Sequence, residues 1–336
     1  MRIIARTAPL EQQHWQEILA GAIRSGDKLL QQLQLQDADL PVSHEAAADF
    51  PVLVPRPYLE LMEPGNIKDP LLLQVLPRPQ EMETPAGYVT DPLGEASANV
   101  QPGIIHKYQG RLLLITATGC AVNCRYCFRR HFDYADNRIS RRQWNESLDY
   151  VRNDTSISEV ILSGGDPLMM KDGALAELIA AIDAIPHVRR LRIHSRLPVV
   201  IPQRITEELA HLLQQSRLNC TVVLHINHSN EISHTLTQGV MRLKQAGITL
   251  LNQTVLLAGI NDQTDVLQAL SEDLFDAGIQ PYYLHLLDEV KGAHHFDIDR
   301  DKAHKLYQQL HSLLPGYLLP RMVKEEAGKT GKTLIL

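Results

Sequence analysis

Six short stretches rich in Leu, Ile and Val recur at 112–118, 160–163, 191–195, 222–227, 249–257 and 282–287. Between them lie polar–apolar segments of crossover-helix length, among them 171–184, 205–216, 263–277 and 299–313. This alternation constrains the fold more than any other feature. Short apolar strands joined by helices form parallel sheets, because right-handed crossovers return each strand to the same side. Such strands read as apolar runs when both faces are buried. Six βα units are too few for a closed (β/α)8 barrel, so the expectation is α/β class, a partial and open (β/α)6 barrel spanning 101–315. In folds of this type the chemistry sits at the C-terminal ends of the strands.

The first hundred residues read differently. Trp15, Ile18, Leu19, Ile23, Leu29 and Leu30 have helical spacing. A proline-studded segment, 51–103, then predicts extended chain with short helices, since Pro disfavours helical conformation in the residue before it. Leu71, Leu72, Leu73 and Val75 run through it, so 1–100 is expected to wrap over the barrel. Residues 316–336 are expected as a C-terminal tail.

With 44% apolar and 21% charged residues the chain has ample surface to bury, which excludes a disordered polymer. A net charge of −6 argues against a nucleic-acid surface. No apolar run reaches the ~20 residues of a membrane span, and Met1–Arg6 carries no secretory core. Four cysteines do not make a disulfide scaffold, so reduced thiols and a cytoplasmic location are expected.

Three of those cysteines, Cys120, Cys124 and Cys127, form C-x3-C-x2-C directly after the first barrel strand. Thiolates that close repel one another unless a metal or cluster binds them. A [4Fe–4S] cubane with three Cys ligands leaves one iron open, which the amino and carboxylate groups of S-adenosylmethionine could chelate. The alternative from spacing is structural zinc with His131 as fourth ligand. Cys220 reads as a buried thiol. At the end of the second strand, Ser163-Gly164-Gly165-Asp166 offers backbone that can approach a ligand closely.

The cysteine loop, the Ser-Gly-Gly-Asp turn and the six βα units resemble the radical S-adenosylmethionine superfamily. Over most of its length the chain resembles the lysine 2,3-aminomutase family within it. The matching segments are Thr90-Asp91-Pro92-Leu93, Gly103-Ile104-Ile105-His106-Lys107-Tyr108, Cys127-Phe128-Arg129-Arg130, Pro198 to Thr206 and Asn252 to Leu257. The resemblance is strongest to the short branch that serves β-lysine modification of bacterial elongation factor P. It implies an isomerase that uses a [4Fe–4S] cluster, S-adenosylmethionine and pyridoxal 5′-phosphate to convert L-lysine to β-lysine, with (R) stereochemistry in that branch. In the reaction that the resemblance implies, a 5′-deoxyadenosyl radical takes a hydrogen from the β-carbon of lysine held on pyridoxal phosphate, the nitrogen migrates, and the hydrogen returns. An electron donor, a lysyl-synthetase-like ligase and elongation factor P are the implied partners.

Residue by residue, the resemblance assigns the cluster to Cys120, Cys124 and Cys127, and contacts to S-adenosylmethionine to Gly164, Gly165, Asp166, His225 and Gln253. The pyridoxal phosphate lysine matches Lys332, with Lys329 second. The tail's Gly331-Lys332-Thr333 is not a phosphate loop, because Glu326 stands where its first Gly belongs and too little chain follows for a helix. Without the resemblance, a lysine this near the terminus reads as a solvated side chain. Arg111, Tyr108, Arg196 and Arg204 resemble groups near pyridoxal phosphate. Arg129 matches the arginine that holds the substrate carboxylate, and a planar guanidinium suits that group. Asp288 and Glu325 match two acids that hold the distal ammonium, with Glu325 one methylene longer than the family's Asp. Family members acting on free lysine extend further after the cofactor lysine, whereas four residues follow Lys332 here, which favours the short branch. The rival readings are an aminomutase for another amino acid and a zinc-stabilised binding protein without catalysis.

Overall fold

The computed structural model describes residues 14–134, 137 and 141–335. The reading of Met1–Arg6 lies outside the described residues. Ten strands form one sheet in chain order: β1 (Asn99–Gln101), β2 (Ile104–Tyr108), β3 (Arg111–Ala117), β4 (Glu159–Gly164), β5 (Arg190–Ser195), β6 (Asn219–His225), β7 (Thr249–Val255), β8 (Gln280–His285), β9 (Arg321–Lys324) and β10 (Thr333–Leu334). From β3 to β9 every pairing is parallel. β1 and β2 pair antiparallel at one edge and β10 at the other. Among the described residues no pairing joins β1 to β10, so the barrel is open.

The helices are α1 (Trp15–Ala20), α2 (Gly26–Gln32), α3 (His44–Asp49), α4 (Arg56–Leu59), α5 (Pro70–Leu73), α6 (Glu95–Ala98), α7 (Arg141–Asn153), α8 (Asp172–Asp183), α9 (Leu197–Val200), α10 (Glu207–Gln215), α11 (His234–Gln245), α12 (Thr264–Asp276) and α13 (Arg300–Leu313). Caps set several starts: Thr206 accepts from Leu209 N, Ser233 from Leu236 N, and Asp299 from Asp301 and Lys302 N.

The six expected strands are β3 to β8, shifted by up to three residues. Three of them, β6 to β8, stop two residues early. At β6 a side chain takes over the ladder: Asn252 Oδ1 accepts from Ile226 N (2.9 Å) and its Nδ2 donates to Ile226 O (3.0 Å). Two features differ from expectation. The segment 316–336 adds β9 as a seventh parallel strand and β10 beside it, rather than trailing as a tail. The strands are also not apolar on both faces. Leu191, Ile193, Val222, Leu224 and Leu250 face outward into the core with Leu178, Ile182, Leu209, Leu213 and Val240. Arg192, His194, His225, Gln253, Tyr283 and His285 face inward and line a cavity of about 700 Å³. The period-2 alternation follows from a sheet whose concave side surrounds a polar space.

The N-terminal segment shares its core with the barrel. Trp15, Leu29, Leu30, Tyr58, Leu71 and Leu72 belong to the same buried cluster as Leu112, Val160 and Leu191. Each such leucine contributes roughly 1.5–3 kcal/mol by burial. The segment also reaches the loop after β8, where Val89 bridges to Val290.

Candidate active site

The loop after β3 carries the three cysteines, and neighbouring segments fix it from several directions. Asn123 Nδ2 donates to Pro51 O (2.8 Å) and Arg125 N to Gln74 O (2.9 Å). The Arg125 guanidinium is buried on Glu81 (2.8 and 2.6 Å) and the carbonyls of Phe50 and Ala46. Arg130 reaches the same carboxylate at 3.0 Å.

Gly164 and Gly165 serve this loop directly. A Cβ on Gly165 would lie 2.3 Å from Gly119 O, and one on Gly164 would lie 2.7 Å from Ile115 Cγ2, with φ at +113°. The glycines are therefore needed for chain-to-chain approach beneath the cysteine loop as well as lining the cavity. The Asp166 carboxylate is engaged within the chain, while the residue lines the cavity. Its oxygens accept from Ser195 Oγ, Leu168 N, Arg196 N and Leu197 N at 2.7–3.0 Å, so it staples β4 to the start of α9.

The donor set suits a cluster. Burial and the neighbouring sulfurs push the Cys120 thiol well up and the Cys127 thiol up to about 11. Sulfurs in that state need a cationic centre to ionise them. Among the described residues no three His, Cys, Asp or Glu side chains are arranged around a single ion. His131, the fourth ligand of the zinc alternative, instead meets Lys291 O at 3.1 Å.

Across the cavity, charges form an alternating chain. Arg129 grips Glu95 through Nε and Nη2, both at 2.7 Å. Lys107 Nζ lies 3.6 Å from Glu95 and 3.1 Å from Glu325. Lys332 Nζ closes the chain on Glu325 at 2.5 Å and lies 5.8 Å from the Tyr283 ring centroid. Three cations alternate with two anions, which leaves one net positive charge. The Arg129 fork expected to receive a substrate carboxylate is thus filled by Glu95, with Nη1 on Ser163 Oγ at 3.0 Å. Glu95 is presented by α6, whose first turn is capped by Asp91 (2.9 and 3.0 Å).

Lys332 lines the cavity, whereas Lys329 is exposed. Lys332 and Lys107, each paired with its carboxylate, hold Glu325 down to about 2, despite its burial. Asp288 also lines the cavity, and its Oδ1 is buried without a partner. Burial and the Glu325 charge raise its carboxyl to about 7. The Arg111 guanidinium lies 4.6 Å over the Tyr108 ring, and both line the cavity. Burial and Glu325 raise the Tyr108 phenol. His225 Nε2 meets Gln253 Nε2 at 2.9 Å, and burial lowers its imidazole to about 3, keeping it neutral. His194 and His285 are lowered by burial too, each with Nε2 unpartnered.

Two of the arginines expected near pyridoxal phosphate are bonded elsewhere in the chain. Arg204 is buried over Trp15 (5.0 Å), bonded to Leu168 O, Met170 O and Asp172, and does not line the cavity. Arg196 sits at the cysteine end, with Nη1 2.7 Å from Cys124 Sγ. The sequence reading missed Glu95, Lys107, His194 and His285. The available signal was a charged or imidazole residue at alternate positions of otherwise apolar strands, as in Arg190-Leu191-Arg192-Ile193-His194.

Residues 114–270 match the radical SAM superfamily, which implies a [4Fe–4S] cluster and S-adenosylmethionine. The chain is 49% identical over 335 residues to the L-lysine 2,3-aminomutase of Haemophilus influenzae, covering 99% of each chain. It is 47% identical over 320 residues to that of Escherichia coli, covering 95% of this chain and 93% of that one. To that of Clostridium subterminale it is 37% identical over 283 residues, or 83% and 67% of the two chains. With near-complete coverage at such identity, and with the cysteine loop at the C-terminal end of the first parallel strand, this chain belongs to the L-lysine 2,3-aminomutase family of radical SAM isomerases.

Proposed function

We propose that this chain converts L-lysine to β-lysine, with pyridoxal phosphate on Lys332 and S-adenosylmethionine on the cluster of Cys120, Cys124 and Cys127. The observation that carries this reading is one continuous cavity of about 700 Å³ with the three cysteines, Arg129, Asp288, Glu325 and Lys332 in its wall. When bound, the cluster and S-adenosylmethionine supply a carbon radical that takes a hydrogen atom, and pyridoxal phosphate supplies the carbonyl that receives the substrate amine.

The chain's own residues bind and orient. The single net positive charge of the Arg129–Glu95–Lys107–Glu325–Lys332 series favours one incoming carboxylate, which Arg129 receives by sharing or replacing Glu95. Asp288, lacking a partner on Oδ1, takes the distal ammonium, whose charge lowers the cost of ionising that buried carboxyl. Glu325 positions the amine of Lys332. Arg111 supplies a guanidinium for the cofactor phosphate and Tyr108 packs beneath it. His225 and Gln253, neutral and mutually bonded, offer hydrogen bonds to S-adenosylmethionine without adding charge. Strands on one side and the N-terminal segment on the other exclude water from the radical.

We further propose (R)-β-lysine as product, destined for a lysyl-synthetase-like ligase that modifies elongation factor P, with a cytoplasmic electron donor. The supporting observation is the family resemblance of the short branch. The test is an anaerobic assay of cluster-loaded protein with pyridoxal phosphate, S-adenosylmethionine, reductant and L-lysine, with chiral chromatography and mass spectrometry of the product. The expected result is (R)-β-lysine. Cleavage of S-adenosylmethionine without β-lysine sinks the substrate assignment and favours an aminomutase for another amino acid. A ligase reaction on elongation factor P that proceeds equally well with L-lysine alone sinks the pathway assignment.

A further inference from the structure

The polar network behind the cysteine loop has more organisation than holding a loop requires. Arg196 leaves the end of β5 with its backbone N–H fixed on Asp166 Oδ2 at 2.8 Å. Its Nη1 donates to Cys124 Sγ at 2.7 Å and to the Tyr126 hydroxyl. Its Nη2 donates to Gln74 Oε1 (2.7 Å), Glu231 Oε2 (3.0 Å) and the Tyr58 hydroxyl (3.0 Å). Glu231 is wholly buried and also accepts from Gln74 Nε2 and Asn227 N. Three other parts of the chain therefore converge on this guanidinium: the N-terminal segment, the cysteine loop and the loop after β6.

We propose that Arg196 is a positioning residue for the cluster, donating an N–H to the Cys124 thiolate and, with Glu231 as its counter-charge, setting the potential at which the cluster accepts an electron. This rests on the reading that Cys124 ligates a [4Fe–4S] cluster. Hydrogen bonds to cluster sulfurs are one of the main ways a protein tunes reduction potential, because a donor stabilises the state with the extra electron. Here the donor is cationic and shielded from solvent, so water does not screen it. Glu231 lies on the far Nη of the same guanidinium, which orients the pair with its positive end toward the sulfur. The carboxylate limits the effect without cancelling it. Aromatic and amide groups around the fork, Tyr58, Tyr126, Gln74 and Asn227, hold the guanidinium in one orientation.

The signs of two variants separate this role from a structural one. Glu231→Gln removes the counter-charge and leaves the donor, so the cluster potential moves to less negative values. The double variant Arg196→Gln/Glu231→Gln removes the cationic donor without stranding a buried charge, so the potential moves to more negative values than the wild type. Arg196→Lys retains charge but not the planar fork and falls between the double variant and the wild type. The measurement is an anaerobic redox titration of reconstituted protein followed by electron paramagnetic resonance, with iron content and circular dichroism recorded for each variant. Wild-type protein without a reducible cluster would end the cofactor reading itself. Given a wild-type cluster, folded and loaded variants with unchanged potentials, or with both shifts in one direction, overturn the proposal for Arg196. Weakened binding of S-adenosylmethionine at unchanged potential also overturns it, and assigns the guanidinium to that ligand's carboxylate. If the double variant does not fold, Glu231→Gln alone decides: a less negative potential supports the proposal and an unmoved one overturns it.

Discussion

The two ends of the cavity are built from the same residue types and behave as opposites. At the cysteine end, Arg125 with Glu81 and Arg196 with Glu231 are buried pairs whose remaining donors and acceptors are largely taken by carbonyls, amides and phenols. At the lysine end, Lys107, Glu325 and Lys332 keep 15–22% of their side-chain surface exposed. Their series carries an unbalanced positive charge, and Asp288 leaves Oδ1 without a partner. Buried ion pairs held by several further hydrogen bonds keep one geometry, even with Arg196 Nε unpartnered, and losing one partner is costly. Pairs at the edge of a cavity exchange partners at little cost. One end is suited to a permanent cofactor ligand set, the other to groups that change partner in each catalytic cycle.

Removing the amine of Lys332 is the largest break. In the Lys332→Ala variant, β-lysine formation falls to background while iron content and reductive cleavage of S-adenosylmethionine persist, because among the described residues that side chain meets Glu325 and Tyr283 and none of the three cysteines. Lys329→Ala, on the exposed turn before it, leaves the rate unchanged. Equal loss in both variants, read by product assay, would remove the distinction between the two lysines.

Glu81→Gln breaks the other end. It leaves Arg125 and Arg130 sharing a neutral amide in a buried site, with an expected cost of about 3–5 kcal/mol. Chemical denaturation of the variant should show that loss, and iron retention should fall with it. A variant with the wild-type denaturation midpoint would mean that the cysteine end is as tolerant as the lysine end.

How much of this was legible in the sequence follows the same division. The cysteine loop was readable because its three cysteines lie within eight residues, and the strand before it because Leu112, Leu113, Leu114 and Ile115 form a continuous apolar run. What surrounds the loop was not readable. Glu81 lies 44 residues before Arg125, and Gln74 lies 122 before Arg196. Nothing local marks Glu81 or Gln74 as buried, and both come from a segment whose prolines suppress any periodic pattern. At the lysine end, resemblance supplied Lys332, Glu325 and Asp288. Lys107 and Glu95 escaped because their partners lie 218 and 34 residues away. The barrel's polar interior was partly visible in the alternation of β5, but short apolar runs elsewhere obscured it. Residues 321–324 escaped as a strand because only four residues pair there.

Asp288→Asn sharpens the comparison through pH. With its carboxyl at about 7, Asp288 is protonated below that pH and pairs with an ammonium only above it. The kcat/KM for lysine in the wild type should therefore rise as pH increases through about 7. The Asn variant should lose this limb and about tenfold to a hundredfold of kcat/KM at higher pH, the range of a hydrogen bond to a charged group. Stability follows the same carboxyl with opposite sign. Its folded value is raised from 3.8, so its contribution is present at acid pH and lost as pH rises through about 7. A pH profile that keeps its limb in Asp288→Asn would reassign the titration.

Glu325→Asp is the smallest and most discriminating change. Withdrawing the carboxylate by one methylene cannot keep both Lys332 at 2.5 Å and Lys107 at 3.1 Å. Weakening one partly exposed pair costs about 1 kcal/mol, roughly fivefold in kcat/KM. The more telling effect is on its neighbour. The Glu325 charge helps to raise the Asp288 carboxyl, so moving that charge away lets Asp288 ionise at lower pH, and the limb of the pH profile shifts toward acid. A small loss of activity with an acid-shifted limb means that Glu325 acts on Asp288 through the field while its own contacts stay with the two lysines. A collapse of activity with an unmoved limb means instead that Glu325 holds the substrate ammonium itself, and that the lysine end is as exacting in its geometry as the cysteine end.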